Sequence, residues 1–174
     1  IRAWLDSGIA VEYVQNVTDI DEPLLERAVA TGQDWRAVAD RETALFREDM
    51  QALGVIAPQH YIGAVESIPQ VAQHVRELQE QGKTYALDGD IYFKIENSRL
   101  FGSISHLSRK EMLGIFGERG GDPEREGKLD PLDPLLWKSE RPDEPAWNTV
   151  LGHGRPGWHI ECSTIALTYL GNQI

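Results

Sequence analysis

The apolar residues of this chain change their period in its middle, and that change limits the folds open to it. From Asp34 to Leu53 they recur at helical spacing. Trp35, Val38, Ala39, Ala44, Leu45, Phe46, Met50 and Leu53 form a near-continuous stripe that Gly54 ends. From Thr84 to Ile95 the pattern becomes two short β-type runs around Asp88-Gly89, a dipeptide favoured in two-residue hairpin turns. A helical stretch followed by a hairpin predicts an α/β protein interrupted by an insertion.

The remaining segments fit that class. Residues 1 to 7 read as the end of a helix stopped by Gly8, and Ile9 to Val14 as a strand. The polar run Gln15-Asn16-Val17-Thr18-Asp19-Ile20-Asp21 follows at the strand's end, where open α/β sheets bind ligands. A helix is expected behind Asp21, with Pro23 in its first turn and Leu24, Leu25 and Ala28 on its apolar face. Ser67 is expected to cap the next helix, with Pro69 near its start and Gly82 at its end. Ser108 is expected to cap a short helix through Phe116. Residues 117 to 134 read as a loop, and Leu135-Leu136-Trp137 as a short buried strand. A Pro-rich loop then leads to Gly157, and a last helix spans about 158 to 170.

The 17 Lys and Arg against 28 Asp and Glu give a formal net charge of −11, which argues against broad attraction to a nucleic-acid backbone. Cys162 is the sole cysteine among 174 residues, so no intramolecular disulfide can form, as suits a reducing cytoplasm. No apolar run reaches the length of a membrane span. Ile1 opens in helical pattern without an initiator Met, and the chain stops at Gly171-Asn172-Gln173-Ile174, so an internal segment of a longer protein is expected.

Three segments can carry chemistry. Trp158 and Cys162 lie four apart, on one face of the expected last helix and in its first turns. Helix N-terminal N–H groups there favour a thiolate, a zinc ligand, and an indole beside it can wall a small pocket. His159 is close enough to share a metal with Cys162. The plain alternative is a small buried cysteine with no ligand. Asn16, Thr18, Asp19 and Asp21 can hold a ligand's ammonium or carboxylate, or cap the next helix. Asp21 is the better cap, which leaves Asn16 and Thr18 for a ligand. Glu118-Arg119-Gly120-Gly121-Asp122-Pro123 is a turn-forming loop whose Arg119 can meet a phosphate or carboxylate, or face water. It lacks P-loop spacing, and no Gly-x-Gly-x-x-Gly occurs. His60, His74, His106 and His153 show no metal-ligand spacing and read as surface residues.

Two strings together resemble the cysteinyl-tRNA synthetase family: Tyr13-Val14-Gln15-Asn16-Val17-Thr18-Asp19-Ile20-Asp21, and Gly154-Arg155-Pro156-Gly157-Trp158-His159-Ile160-Glu161-Cys162-Ser163. Leu136-Trp137-Lys138 and Glu144-Pro145-Ala146-Trp147 match in order and separation, so the resemblance covers nearly the whole chain. The family has two branches. One charges transfer RNA with cysteine; the other joins cysteine to the amine of glucosaminyl-inositol in the mycothiol pathway. Glu118 to Pro123, Gly127 to Trp137 and Asp21-Glu22-Pro23-Leu24 resemble the second branch, which is the reading taken here. A cysteinyl-tRNA synthetase segment is the alternative.

The resemblance implies an AMP-forming, ATP-dependent ligase whose substrates are L-cysteine, ATP with Mg2+, and glucosaminyl-inositol. It implies zinc that binds the substrate thiol, with Cys162 as one protein ligand, Trp158 lining the cysteine pocket, and Asn16, Val17 and Thr18 meeting the cysteinyl part of the adenylate. It implies part of a split Rossmann-like nucleotidyl-transferase domain, with residues 1 to 20 and 146 to 174 in the core. Residues 21 to 145 would be a helical segment and an inserted connective lobe with a small sheet. Nucleic acid and membrane are not expected partners. The HIGH-type and KMSKS-type motifs and the other zinc ligands do not occur in these residues. The chain alone is therefore expected to lack pyrophosphate exchange, to bind zinc weakly or not at all, and to self-associate through uncovered apolar surface.

Overall fold

A computed structural model describes residues 1–157 and 159–172. It is α/β, with one parallel and one antiparallel sheet. The chain forms two compact units: Ile1–Ser67 with the segment from Cys162, and Ile68–Glu161.

The first unit opens with α1 (Arg2–Asp6) and β1 (Val14–Val17), followed by α2 (Glu22–Thr31), α3 (Trp35–Ala52) and β2 (His60–Gly63). β1 and β2 pair in parallel, from Val14↔His60 to Val17↔Gly63. Parallel strands need a long crossover, and α2 with α3 supplies it. Asp21 caps α2, its carboxylate accepting from the Leu24 N–H at 2.8 Å, and Asp34 caps α3 through the Ala37 N–H at 3.1 Å.

The strand expected at Ile9 to Val14 begins only at Val14. The cause is Gln59. Its Nε2 donates to the Val11 carbonyl at 3.0 Å, and its Oε1 accepts from the Tyr13 N–H at 2.8 Å. One side chain thus takes the backbone groups that a neighbouring strand would otherwise pair. The expected α3 stripe is also only partly covered. Val38 and Ala39 are buried, whereas Leu45, Phe46 and Leu53 are exposed.

α4 (Ala64–Glu80) starts directly after β2, three residues before the expected cap Ser67. Ser67 lies buried inside the helix, its hydroxyl donating to the Ala64 carbonyl at 2.9 Å. The capping group is Asp19, which accepts from the Val65 N–H at 2.9 Å. Ile68, Val71, Ala72 and Val75 form the buried face of α4, at the expected helical spacing.

The second unit carries a five-stranded antiparallel sheet in the order β3-β4-β5-β7-β6, with β3 Thr84–Leu87, β4 Asp90–Phe93, β5 Leu135–Ser139, β6 Trp147–Thr149 and β7 Gly152–Pro156. Asp88 and Gly89 make the expected two-residue turn, both with positive φ, as a type I′ hairpin requires. Ser108 caps α5 (Arg109–Glu118) in a reciprocal capping box with Glu111. The β6–β7 hairpin falls where a Pro-rich loop is expected. Gly152, Gly154 and Pro156 carry little strand propensity, and β5 holds the last part of β7 through Trp137↔Pro156, Lys138↔Arg155 and Ser139↔Gly154, while Gly152 pairs with Thr149 of β6. Trp137 and Tyr92 are the largest fully buried side chains. No helix among the described residues is long and apolar enough to cross a membrane.

Candidate functional site

The end of β1 and the start of α6 (Ile160–Leu170) bring two expected site residues together in the first unit. Asn16 Nδ2 donates to Cys162 Sγ at 3.4 Å, across 146 positions of sequence. Both side chains are half-buried. Asn16 is anchored by its ladder position opposite Ile62. The His60 ring of β2 packs on the Tyr169 ring of α6 with centroids 4.6 Å apart, so His60 is a packing residue rather than a bare surface histidine.

Val17 is half-buried opposite Gly63, and Thr18 is exposed beyond the strand. Asp21 caps α2, as expected, and Asp19 caps α4, which leaves Asn16 and Thr18 as the polar side chains outside the capping bonds. Burial pushes the Asp19 carboxyl above the usual carboxylate range, opposed by its backbone hydrogen bonds at the α4 start. Gly63 makes this packing possible. A Cβ there would stand 2.5 Å from Asp19 Oδ2. Gly63→Ala is expected to cost about 1–3 kcal/mol. Urea denaturation checks this; an unchanged midpoint would mean that the Asp19 carboxylate is not held against β2.

The last helix begins at Ile160, so His159 precedes it, exposed and in the left-handed region at φ 73°. Cys162 is its third residue. The expected helical pairing of Trp158 with Cys162 lies outside the described residues. Neighbouring Glu161 was not singled out from the sequence. It is 5% exposed, its Oε2 has no hydrogen-bond partner among the described residues, and burial raises its pKa. Its position between His159 and Cys162 gave no signal beyond the string itself.

Cys162 fits zinc as one soft ligand: a half-buried sulfur that already accepts an N–H donor. Among the described residues no group of three or more His, Cys, Asp or Glu could hold a metal ion, so a complete ligand set is not present there.

In the second unit the 118–123 string is largely a brace. Asp122 accepts from the Tyr92 hydroxyl and from Lys128 Nζ at 2.8 Å. The Lys128 side chain is buried, and its ammonium also donates to the Pro131 carbonyl at 2.8 Å. Gly121 packs on the Phe116 ring, and Pro123 approaches Gly117. Glu118 and Arg119 end α5 and face solvent, with Gly120 exposed beside them.

The centre of this network is Asp90, 1% exposed, which the sequence reading passed over beside the Asp88-Gly89 turn. Its carboxylate accepts from Arg125 Nη1 at 2.6 Å, from Arg141 Nη2 at 2.8 Å, and from the Ser139 N–H and hydroxyl at 2.8 and 2.9 Å. Burial alone would raise its pKa. Arg125, Ser139 and Arg141 together hold it below the usual carboxylate range. Asp133, also buried, accepts from the Tyr85 hydroxyl and from the Ile95 and Asp130 N–H groups at 2.8–3.0 Å. Burial and the Asp133 carboxylate push the Tyr85 phenol up to about 12.

Comparison with known proteins agrees with the resemblance. The family model for the catalytic domain of class I (C) tRNA synthetases matches residues 1–174. A Salinispora tropica protein is 62% identical over 177 residues, covering 99% of this chain and 44% of its own length. A Kribbella flavida protein is 58% identical, with 99% and 43% covered, and one from Catenulispora acidiphila is 60% identical, with 98% and 42% covered. All three bear the name L-cysteine:1D-myo-inositol 2-amino-2-deoxy-alpha-D-glucopyranoside ligase. The chain spans less than half the length of each of these relatives.

Proposed function

The chain belongs to the family of class I (C) tRNA synthetase catalytic domains, and on that premise we propose that the whole protein activates L-cysteine with ATP and joins it to the amine of glucosaminyl-inositol. The observation that carries this reading is identity near 60% along essentially the whole chain to proteins named as that ligase.

Two steps follow from the chemistry. The cysteine carboxylate attacks the α-phosphorus of ATP, with Mg2+ on the phosphates, and pyrophosphate leaves. The sugar amine, as free base, then attacks the carbonyl of cysteinyl-adenylate. An amide forms, the amine gives up a proton, and AMP leaves. Asn16, Val17 and Thr18 stand at the end of a parallel strand, where the cysteinyl part of the adenylate would sit. Cys162 would be one protein ligand of zinc. When bound, zinc would select a soft sulfur over the hydroxyl of serine. Trp158, outside the described residues, is retained as the pocket wall. The parallel β1–β2 pair supports a piece of a split Rossmann-like core, and the antiparallel sheet supports an inserted lobe. The reducing cytoplasm is the proposed location.

Transfer-RNA charging is the second reading, favoured by the match of the whole chain to a tRNA synthetase catalytic domain. The full-length protein decides between them. With ATP and cysteine it should exchange pyrophosphate, and it should release AMP when glucosaminyl-inositol is added. AMP release with transfer RNA and none with the amino sugar would overturn the ligase reading.

A further inference from the structure

The resemblance implies that Asn16 meets the cysteinyl adenylate, yet its amide N–H already has a partner within the protein. We propose that Asn16 is a positioning residue for Cys162, holding the sulfur in the orientation in which it receives a metal. This deepens the proposed function and rests on its reading of Cys162 as a zinc ligand.

Three observations carry the assignment. The Asn16 Nδ2–H donates to Sγ at 3.4 Å, between two half-buried side chains of one compact unit. The donor has a fixed base, because Asn16 sits opposite Ile62 in the β1–β2 ladder rather than on a loop. The acceptor also has a fixed base, because Cys162 is the third residue of α6, and that helix is tied to β2 by the His60–Tyr169 ring contact. A side chain held at both ends has little rotamer freedom left. An amide donor to sulfur also strengthens as the sulfur gains negative charge, which happens when cysteine ligates a cation. Outer partners of this kind orient a metal ligand without touching the metal, and losing one typically lowers metal affinity on the order of 10–100-fold.

The test uses the full-length protein, stripped of metal and titrated with zinc against a chromogenic chelator. Asn16→Ala and Asn16→Ser are measured separately, each confirmed folded by circular dichroism, so that failure of one to fold leaves the other. Zinc affinity should fall about 10–100-fold in Asn16→Ala and less in Asn16→Ser, which keeps a hydroxyl donor. Cobalt(II) supplies a second readout, since the sulfur-to-cobalt charge-transfer band should shift when the N–H donor is lost. Cys162→Ser separates the two levels of the argument. If it removes the band and weakens zinc while both Asn16 variants bind as the parent does, the positioning role is overturned. If Cys162→Ser itself leaves zinc stoichiometry and the band unchanged, the ligand assignment fails instead.

Discussion

Asp90→Ala is expected to destabilise the 68–161 unit by about 3 kcal/mol, the lower end of the range for breaking a buried ion pair. The substitution leaves Arg125 and Arg141 without their shared carboxylate, and Ser139 without the acceptor for its N–H and hydroxyl. The lower end applies because the two arginine side chains are 24% and 32% exposed and water can take up part of their charge. Asp90→Asn keeps the volume and an acceptor for Ser139 but not the charge, so its smaller loss isolates the ionic part. The pH dependence follows from the lowered pKa of Asp90. A carboxylate with a depressed native pKa contributes stability that is present above its unfolded value, near 3.9, and is lost as pH falls through the native one. The gap between parent and Asp90→Asn should therefore hold from neutral pH to about 4 and close below it. Urea denaturation at a series of pH values measures this. Coincident midpoints at pH 7 would remove Asp90 as the centre of the network.

Trp137→Ala should have an effect of similar or larger size, about 3–5 kcal/mol. Trp137 lies on β5, the middle strand of five, and is 1% exposed. Its indole covers Gly154 of β7 so closely that a Cβ there would stand 2.5 Å from Nε1. Alanine would leave a cavity between the strands that the ladder prevents from collapsing. The reverse error, Gly154→Ala, overpacks against the ring and also against the Lys138 carbonyl oxygen, 2.3 Å from the added Cβ, and should cost about 1–3 kcal/mol. The two should not add. Removing the indole relieves only the part of the Gly154→Ala clash that involves the ring, while the contact with the Lys138 carbonyl remains, so the double variant should be somewhat more stable than the summed losses predict. Strict additivity in a denaturation cycle would show that the Lys138 carbonyl, not the ring, accounts for the whole Gly154→Ala cost.

The locally encoded parts of this fold were readable. Asp21 and Ser108 cap within one helical turn as expected, the α3 start is legible at Asp34, and Asp88-Gly89 fixes its hairpin within four residues. What escaped was long-range. The cap of α4 comes from Asp19, 46 positions before the N–H it receives, so the nearer Ser67 looked like the better candidate. The β6–β7 hairpin has the composition of a loop and exists because β5 pairs with it. The candidate site divides along the same line. Asn16 and Cys162 each stood out in the sequence, but their contact did not. The string from Glu118 to Pro123 was recognised, yet its carboxylate at Asp122 is engaged by Tyr92 and Lys128 inside the unit.

Gln59 has an influence beyond its own surroundings. By bonding Val11 and Tyr13 just before the ladder starts, it acts as an end-stop that sets which residue of β1 faces which residue of β2. Side chains alternate along a strand, so a slip of one residue would turn Asn16 to the opposite face and leave a neighbour's side chain towards the sulfur. The geometry around Cys162 is thus indexed by a glutamine bonded to Val11 and Tyr13, much as a key's shoulder sets how far it enters the lock.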